Sequence, residues 1–156
     1  FPKIVQLVLP MAMRNLSWHP EKFIFWNGEA IYDSLWDTEE SRGHEFVCHA
    51  YGIKKKYADC FSSDTPEMMI DTLTPAVVAN KFPGNDRTVY TLYNRAYTTY
   101  RGAVLRIPHV DGARYYDVWN DAPLSPSVKD GYAEISLVIH AESIGCVAVT
   151  YNKERE

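Results

Sequence analysis

The sequence predicts a mainly β protein with one long helix: a terminal βα unit, then an antiparallel β-sandwich of about seven strands. Three observations carry that prediction. A short β-rich run followed by an acidic, capped helical pattern occupies the first 63 residues. From residue 64 onward, short apolar runs recur with Gly, Pro, Asn and Asp between them and with no helical period. The composition is that of a chain able to bury a core, with 156 residues, 46% hydrophobic and 23% charged.

Taken in order, "KIVQLVLP" at 3–10 is an apolar run ended by Pro10, the pattern of a strand buried on both faces. "KFIFWN" at 22–27 is a second β-rich run, stopped by Gly28. The loop that follows leads to a helix start. Asp37 or Thr38 can cap it, Glu40 holds the capping-box position three residues after Asp37, and Glu39 and Glu40 suit the positive end of the helix dipole. Phe46, Val47, Ala50, Tyr51, Tyr57, Ala58 and Phe61 then recur at steps of three and four, which predicts one apolar stripe running to about residue 61. "SSDTP" at 62–66 breaks the pattern, and the boundary between the βα unit (1–63) and the sandwich (64–156) is placed there. Seven β segments follow: "EMMIDTL", "AVVANKF", "RTVYTLYN", "AVLRIPHV", "ARYYDVWN", "YAEISLVIHA" and "GCVAVTY". Within the sixth, Ile135, Leu137 and Ile139 alternate with Ser136 and His140, as a half-buried strand requires.

Charge and cysteine usage narrow the function classes. The net charge is −4 and the densest basic run is "KKK" at 54–56, so there is no electrostatic footprint for nucleic acid. Cys48, Cys60 and Cys146 follow no metal-ligand or disulfide spacing and read as buried thiols; no cofactor or metal is signalled. The most apolar stretch is interrupted by Gln6 and Pro10, short of the roughly 18–20 residues that span a bilayer, so the chain reads as soluble with no membrane partner. It opens at Phe1 with neither an initiator Met nor a signal peptide, which reads as the C-terminal part of a longer protein and leaves the compartment open. Asn15-Leu16-Ser17 is a formal glycosylation sequon.

Three constellations bear on chemistry. In "HEFVCH", His44 and His49 are five apart and so do not share a helix face as zinc ligands would; His44 and Cys48 do, but no third partner is in view. The loop from Glu29 to Glu40 gathers Glu29, Asp33 and Asp37 among Trp26, Tyr32 and Trp36. Paired carboxylates beside aromatic platforms suit glycoside chemistry: one group donates a proton, another stabilises the cationic sugar, and ring stacking holds the substrate. Asp37, Glu39 and Glu40 serve better as helix caps and dipole partners. Glu29 and Asp33 therefore stand as the catalytic candidates and Trp26, Tyr32 and Trp36 as the substrate-binding ones, against the alternative of an acidic loop that starts a helix while the tryptophans pack between layers. In "RYYDVWND", Asp117 lies among Tyr115, Tyr116 and Trp119; an exposed strip there would bind a sugar polymer, but strand alternation buries about half of it and favours packing.

The order of "FIFWNGEAIYDS", the helix through "KKKYADCFSSD", then "MIDTLTPAVVANKF", "VYTLYN", "VLRIPHVDGARYYDVWN" and a closing strand pair resembles the C-terminal region of glycoside-hydrolase-like proteins. There the last βα unit of a (β/α)8 barrel runs into a β-sandwich. The resemblance implies a structural accessory role for 64–156, a preceding barrel domain as its partner, and a carbohydrate ligand; Glu29 and Asp33 inherit a cleft-lining position only. The other reading is a non-catalytic module that binds carbohydrate or docks a neighbouring domain.

Overall fold

Period-two alternation along the long strands decides the layering, because successive side chains leave a strand on opposite faces. The computed structural model describes residues 41–151. The runs at 3–10 and 22–27, the loop from Glu29 to Glu40 and the helix cap at Asp37 or Thr38 lie outside the described residues.

Helices α1 (Ser41–Lys56) and α2 (Ala58–Phe61) precede nine strands. These are β1 (Glu67–Ile70), β2 (Val77–Pro83), β3 (Arg87–Asn94), β4 (Tyr100–Pro108), β5 (Arg114–Asp117), β6 (Ala122–Leu124), β7 (Ser127–Lys129), β8 (Tyr132–Ile139) and β9 (Ile144–Thr150). They form a six-stranded sheet, in the order β1-β2-β3-β9-β5-β6, and a three-stranded sheet, β4-β8-β7. Every pairing is antiparallel.

The sheets face each other across one core. Tyr90, Leu92, Tyr115, Val147 and Val149 of the larger sheet meet Val104, Leu105, Ile107, Ile135, Leu137 and Ile139 of the smaller. The opposite face of the larger sheet carries a second core, in which Phe82, Val89, Cys146 and Ala148 pack against Ile53, Tyr57, Cys60 and Phe61 of the helical segment. In β9, Cys146 and Ala148 serve one core while Val147 and Val149 serve the other. Such a strand reads as an unbroken apolar run because water reaches neither face. Among the described residues no helix is long and apolar enough to cross a membrane.

The described fold is mainly β with two antiparallel sheets, as expected, but it differs in detail. The helix does not run on to residue 61. It ends at Lys56, and Tyr57 (φ −114°, ψ 33°) turns the chain into α2. Arg87 fixes the turn: its Nε donates to both carboxylate oxygens of Asp59 at 3.2 and 3.1 Å, its Nη2 donates to the Lys56 carbonyl at 3.0 Å, and its guanidinium lies 4.7 Å from the Tyr57 ring centroid. The helix's last turn thus finds its carbonyl partner on β3. α2 comes close to the sheet at Gly84, where a Cβ would stand 2.6 Å from Asp59 Oδ2 and 2.7 Å from Cys60 Sγ. The stripe is also rotated: Ala50, Ile53 and Tyr57 are buried, whereas Tyr51 and Ala58 are exposed.

Each of the seven expected segments carries a strand, and two further strands lie in "NDAPLSPSVKDG". Pro123 and Pro126 mark that stretch as a turn, yet β6 and β7 are edge strands, where a missing N–H can face away from the ladder. β6 pairs with β5 and β7 with β8, so this stretch carries the chain from one sheet to the other.

A candidate groove at the edge of the larger sheet

Glu29, Asp33, Trp26, Tyr32 and Trp36 lie outside the described residues. "RYYDVWND" is described in full, and alternation divides it. Tyr115 points into the core between the sheets, where its hydroxyl is 2.7 Å from His109 Nδ1 and the two rings stack with centroids 6.0 Å apart. Burial raises its phenol pKa. Asp117 is buried and accepts the Asn120 backbone N–H at 3.0 Å and its side-chain amide at 2.8 Å, an Asx-type turn that ends β5. Trp119 packs edge-on against His49, with ring centroids 4.6 Å apart, and joins the core under the helices. The packing reading of this segment therefore holds.

Tyr116 leaves the strand on the outer face with Arg114, two residues away. It is half-buried, and its hydroxyl donates to Asp121 Oδ1 at 2.8 Å, a bond that raises its pKa. The Lys56 ammonium, at the end of α1, is 5.9 Å from the Tyr116 ring centroid and 5.5 Å from that of Tyr57. Together with His109, Pro123 and Pro126, these residues line a groove of about 560 Å³. Sequence reasoning missed Arg114 and took Lys56 only as part of a basic run. The available signal was the spacing of Arg114 and Tyr116, which puts a cation and an aromatic ring on one face of a strand.

The remaining reactive groups are committed elsewhere. Arg87 holds the Asp59 carboxyl below the usual carboxylate range through its hydrogen bonds, so Asp59 stays ionised. Cys60 and Cys146 are buried as expected; burial pushes the Cys60 thiol up to about 11 and Cys146 higher still, so neither is a nucleophile. Cys48 departs from expectation and is exposed, since it lies off the buried Ala50–Ile53–Tyr57 stripe of α1. Among the described residues no three His, Cys, Asp or Glu side chains gather as they would around a metal ion.

No protein-family model matches the sequence, and no curated protein matches it. Solved structures do. The chain is similar in fold to part of an α-amylase from Anoxybacillus, with a TM-score of 0.50 and 12% identity over 71% of this chain and 23% of that one. It also aligns with a putative α-N-acetylgalactosaminidase from Bacillus halodurans (TM-score 0.44, 11% identity, 60% of this chain and 21% of that one). A GH27 β-L-arabinopyranosidase from Geobacillus stearothermophilus aligns with a TM-score of 0.40 at 8% identity, over 57% of this chain and 20% of that one. The chain thus spans between a fifth and a quarter of the length of these structures. The likeness to glycoside-hydrolase structures that the order of elements implied holds at the level of fold.

Proposed function

We propose that the chain is part of a carbohydrate-active, glycosidase-like protein, in which residues 64–156 form an accessory sandwich and residues 1–63 supply the last elements of a barrel domain. The observation that supports this reading is the likeness in fold to a portion of the Anoxybacillus α-amylase. Two of the described carboxylates fit it: Asp117 closes a turn and Asp59 is held by Arg87, so neither is available as a glycosidic acid or nucleophile. Glu29 and Asp33, framed by Trp26, Tyr32 and Trp36, are the residues of this chain assigned to the cleft.

Hydrolysis of a panel of aryl glycosides by the full-length protein tests the assignment. Glu29→Gln and Asp33→Asn are expected to lower kcat/KM by about a hundredfold or more where the carboxylate acts on the reacting bond. Unchanged rates in both variants would remove the pair from the site.

A further inference from the structure

We propose that the groove between the end of α1 and the β5–β6 edge binds an acidic saccharide, a chain of uronic acid residues, through Arg114, Lys56 and the face of Tyr116. This rests on the reading of the protein as carbohydrate-active and names the ligand class.

Charge comes first. The whole chain carries −4, yet among the described residues the groove is lined by Lys56, Arg114 and His109 and by no Asp or Glu. Among the described residues the two cations lack the counter-ions their neighbours have. Arg87 is paired with Asp59 and Lys81 with Glu67, while Arg114 and Lys56 form no ion pair among the described residues. A guanidinium presents a planar fork that matches a carboxylate with two parallel hydrogen bonds, so the exposed Arg114 suits a ligand that brings the carboxylate.

Shape narrows the ligand to a sugar. Arg114 and Tyr116 project from the same face of β5 and the Lys56 ammonium is 5.9 Å from the Tyr116 ring centroid, so a pyranose in the groove meets an aromatic ring and two cations together. The hydrogen bond from the Tyr116 hydroxyl to Asp121 holds that platform, and Pro123 and Pro126 make stiff apolar walls. The volume of about 560 Å³ lies within the range of small-ligand sites. Two carboxylates stand close by: Asp121 at the Tyr116 hydroxyl, and Asp111, 3.8 Å from His109 Nε2. They disfavour a densely charged anion and leave one carboxylate per sugar ring as the charge the groove accepts.

Isothermal titration of the full chain with galacturonic acid oligomers tests this, with neutral galactose oligomers and heparin as comparison ligands. The expected result is binding of the galacturonate oligomers over both comparisons, weakened about tenfold or more by Arg114→Gln and by Lys56→Gln, and weakened by added salt. Arg114 is exposed, so its variant keeps the wild-type unfolding midpoint, and Tyr116→Phe, which keeps the ring, retains binding better than Tyr116→Ala. Equal affinity for neutral and acidic oligomers overturns the acidic preference while leaving the carbohydrate reading standing. Galacturonate binding indifferent to Arg114→Gln overturns the site. No binding of any oligomer, with glycoside hydrolysis intact in the full-length protein, overturns this inference and spares the glycosidase one.

Discussion

Phe61, at the end of α2, and Phe82, in β2, meet edge to face with ring centroids 5.3 Å apart at 63°. Phe82 is 1% exposed and Phe61 5%, so each truncation empties a ring-sized volume in the core between the helices and the sheet. Phe82→Ala should cost about 3–5 kcal/mol, transfer and cavity terms together. Phe61→Ala should fall near 3 kcal/mol, because a four-residue helix can shift to fill part of the space. Either loss is a large share of the 5–15 kcal/mol typical of a domain. If the rings stabilise each other, the double variant loses less than the sum of the singles by about 0.5–1.5 kcal/mol. Urea unfolding of the full chain and the three variants, followed by far-UV circular dichroism, measures all four free energies. Single changes below about 1 kcal/mol would refute the docking of the helical segment on this face, and additive losses would refute the coupling of the two rings. A positive result has a further consequence. A chain cut at residue 64 would expose Phe82, Val89, Cys146 and Ala148, so the sandwich alone would be less stable than the whole.

Two more outcomes follow from named contacts. Arg87→Ala removes the pair with Asp59 and the donor to the Lys56 carbonyl; both side chains of the pair are about a quarter exposed (28% and 25%), which screens the charges and sets the loss at about 1–2 kcal/mol. Because Arg87 lowers the Asp59 pKa, the pair's contribution is present above the unfolded value near 3.9 and is lost as the pH falls through the folded one. The gap between wild-type and Arg87→Ala urea midpoints should therefore be steady from pH 7 to pH 5 and shrink below about pH 4. Asn94 is fully buried; its amide donates to the carbonyls of Thr98, Ile139 and His140 at 2.8, 3.1 and 3.0 Å, and its Oδ1 accepts the Ala96 N–H at 3.0 Å. Asn94→Ala should cost about 2–4 kcal/mol in thermal unfolding, and Asn94→Asp should fare no better, since it sets a carboxylate against three carbonyl oxygens.

What was legible in the sequence follows from where water reaches. β8 could be read residue by residue, because Tyr132, Glu134, Ser136 and Val138 face solvent while Ala133, Ile135, Leu137 and Ile139 face the core. β9 could be read as a strand, though not that it is covered on both faces by different layers. β6 and β7 could not be read, because Pro123 and Pro126 carry the same signal in a turn as at a sheet edge. The end of α1 was hidden for a related reason. Nothing in "KKKYADCF" breaks a helix; Arg87 breaks it, from a strand many residues away. The groove was hidden likewise, since Lys56, Arg114 and Tyr116 come to line one groove only after the chain has folded.

The Arg87 clamp and the groove are consequences of one arrangement. α2 packs on β2 and β3, which covers the outer face at that end of the sheet, and among the described residues no further strand pairs with the β5–β6 edge. α1 ends at Lys56, and the bond from Arg87 Nη2 to the Lys56 carbonyl fixes where it ends. The same backbone contact that satisfies a helix terminus therefore sets the Lys56 ammonium beside Tyr116. Arg87 does not line the groove, yet Arg87→Ala should weaken acidic-oligomer binding by freeing Lys56, whereas Asn94→Ala, with the larger stability loss, should leave binding unchanged below the unfolding transition. That contrast separates positioning from stability.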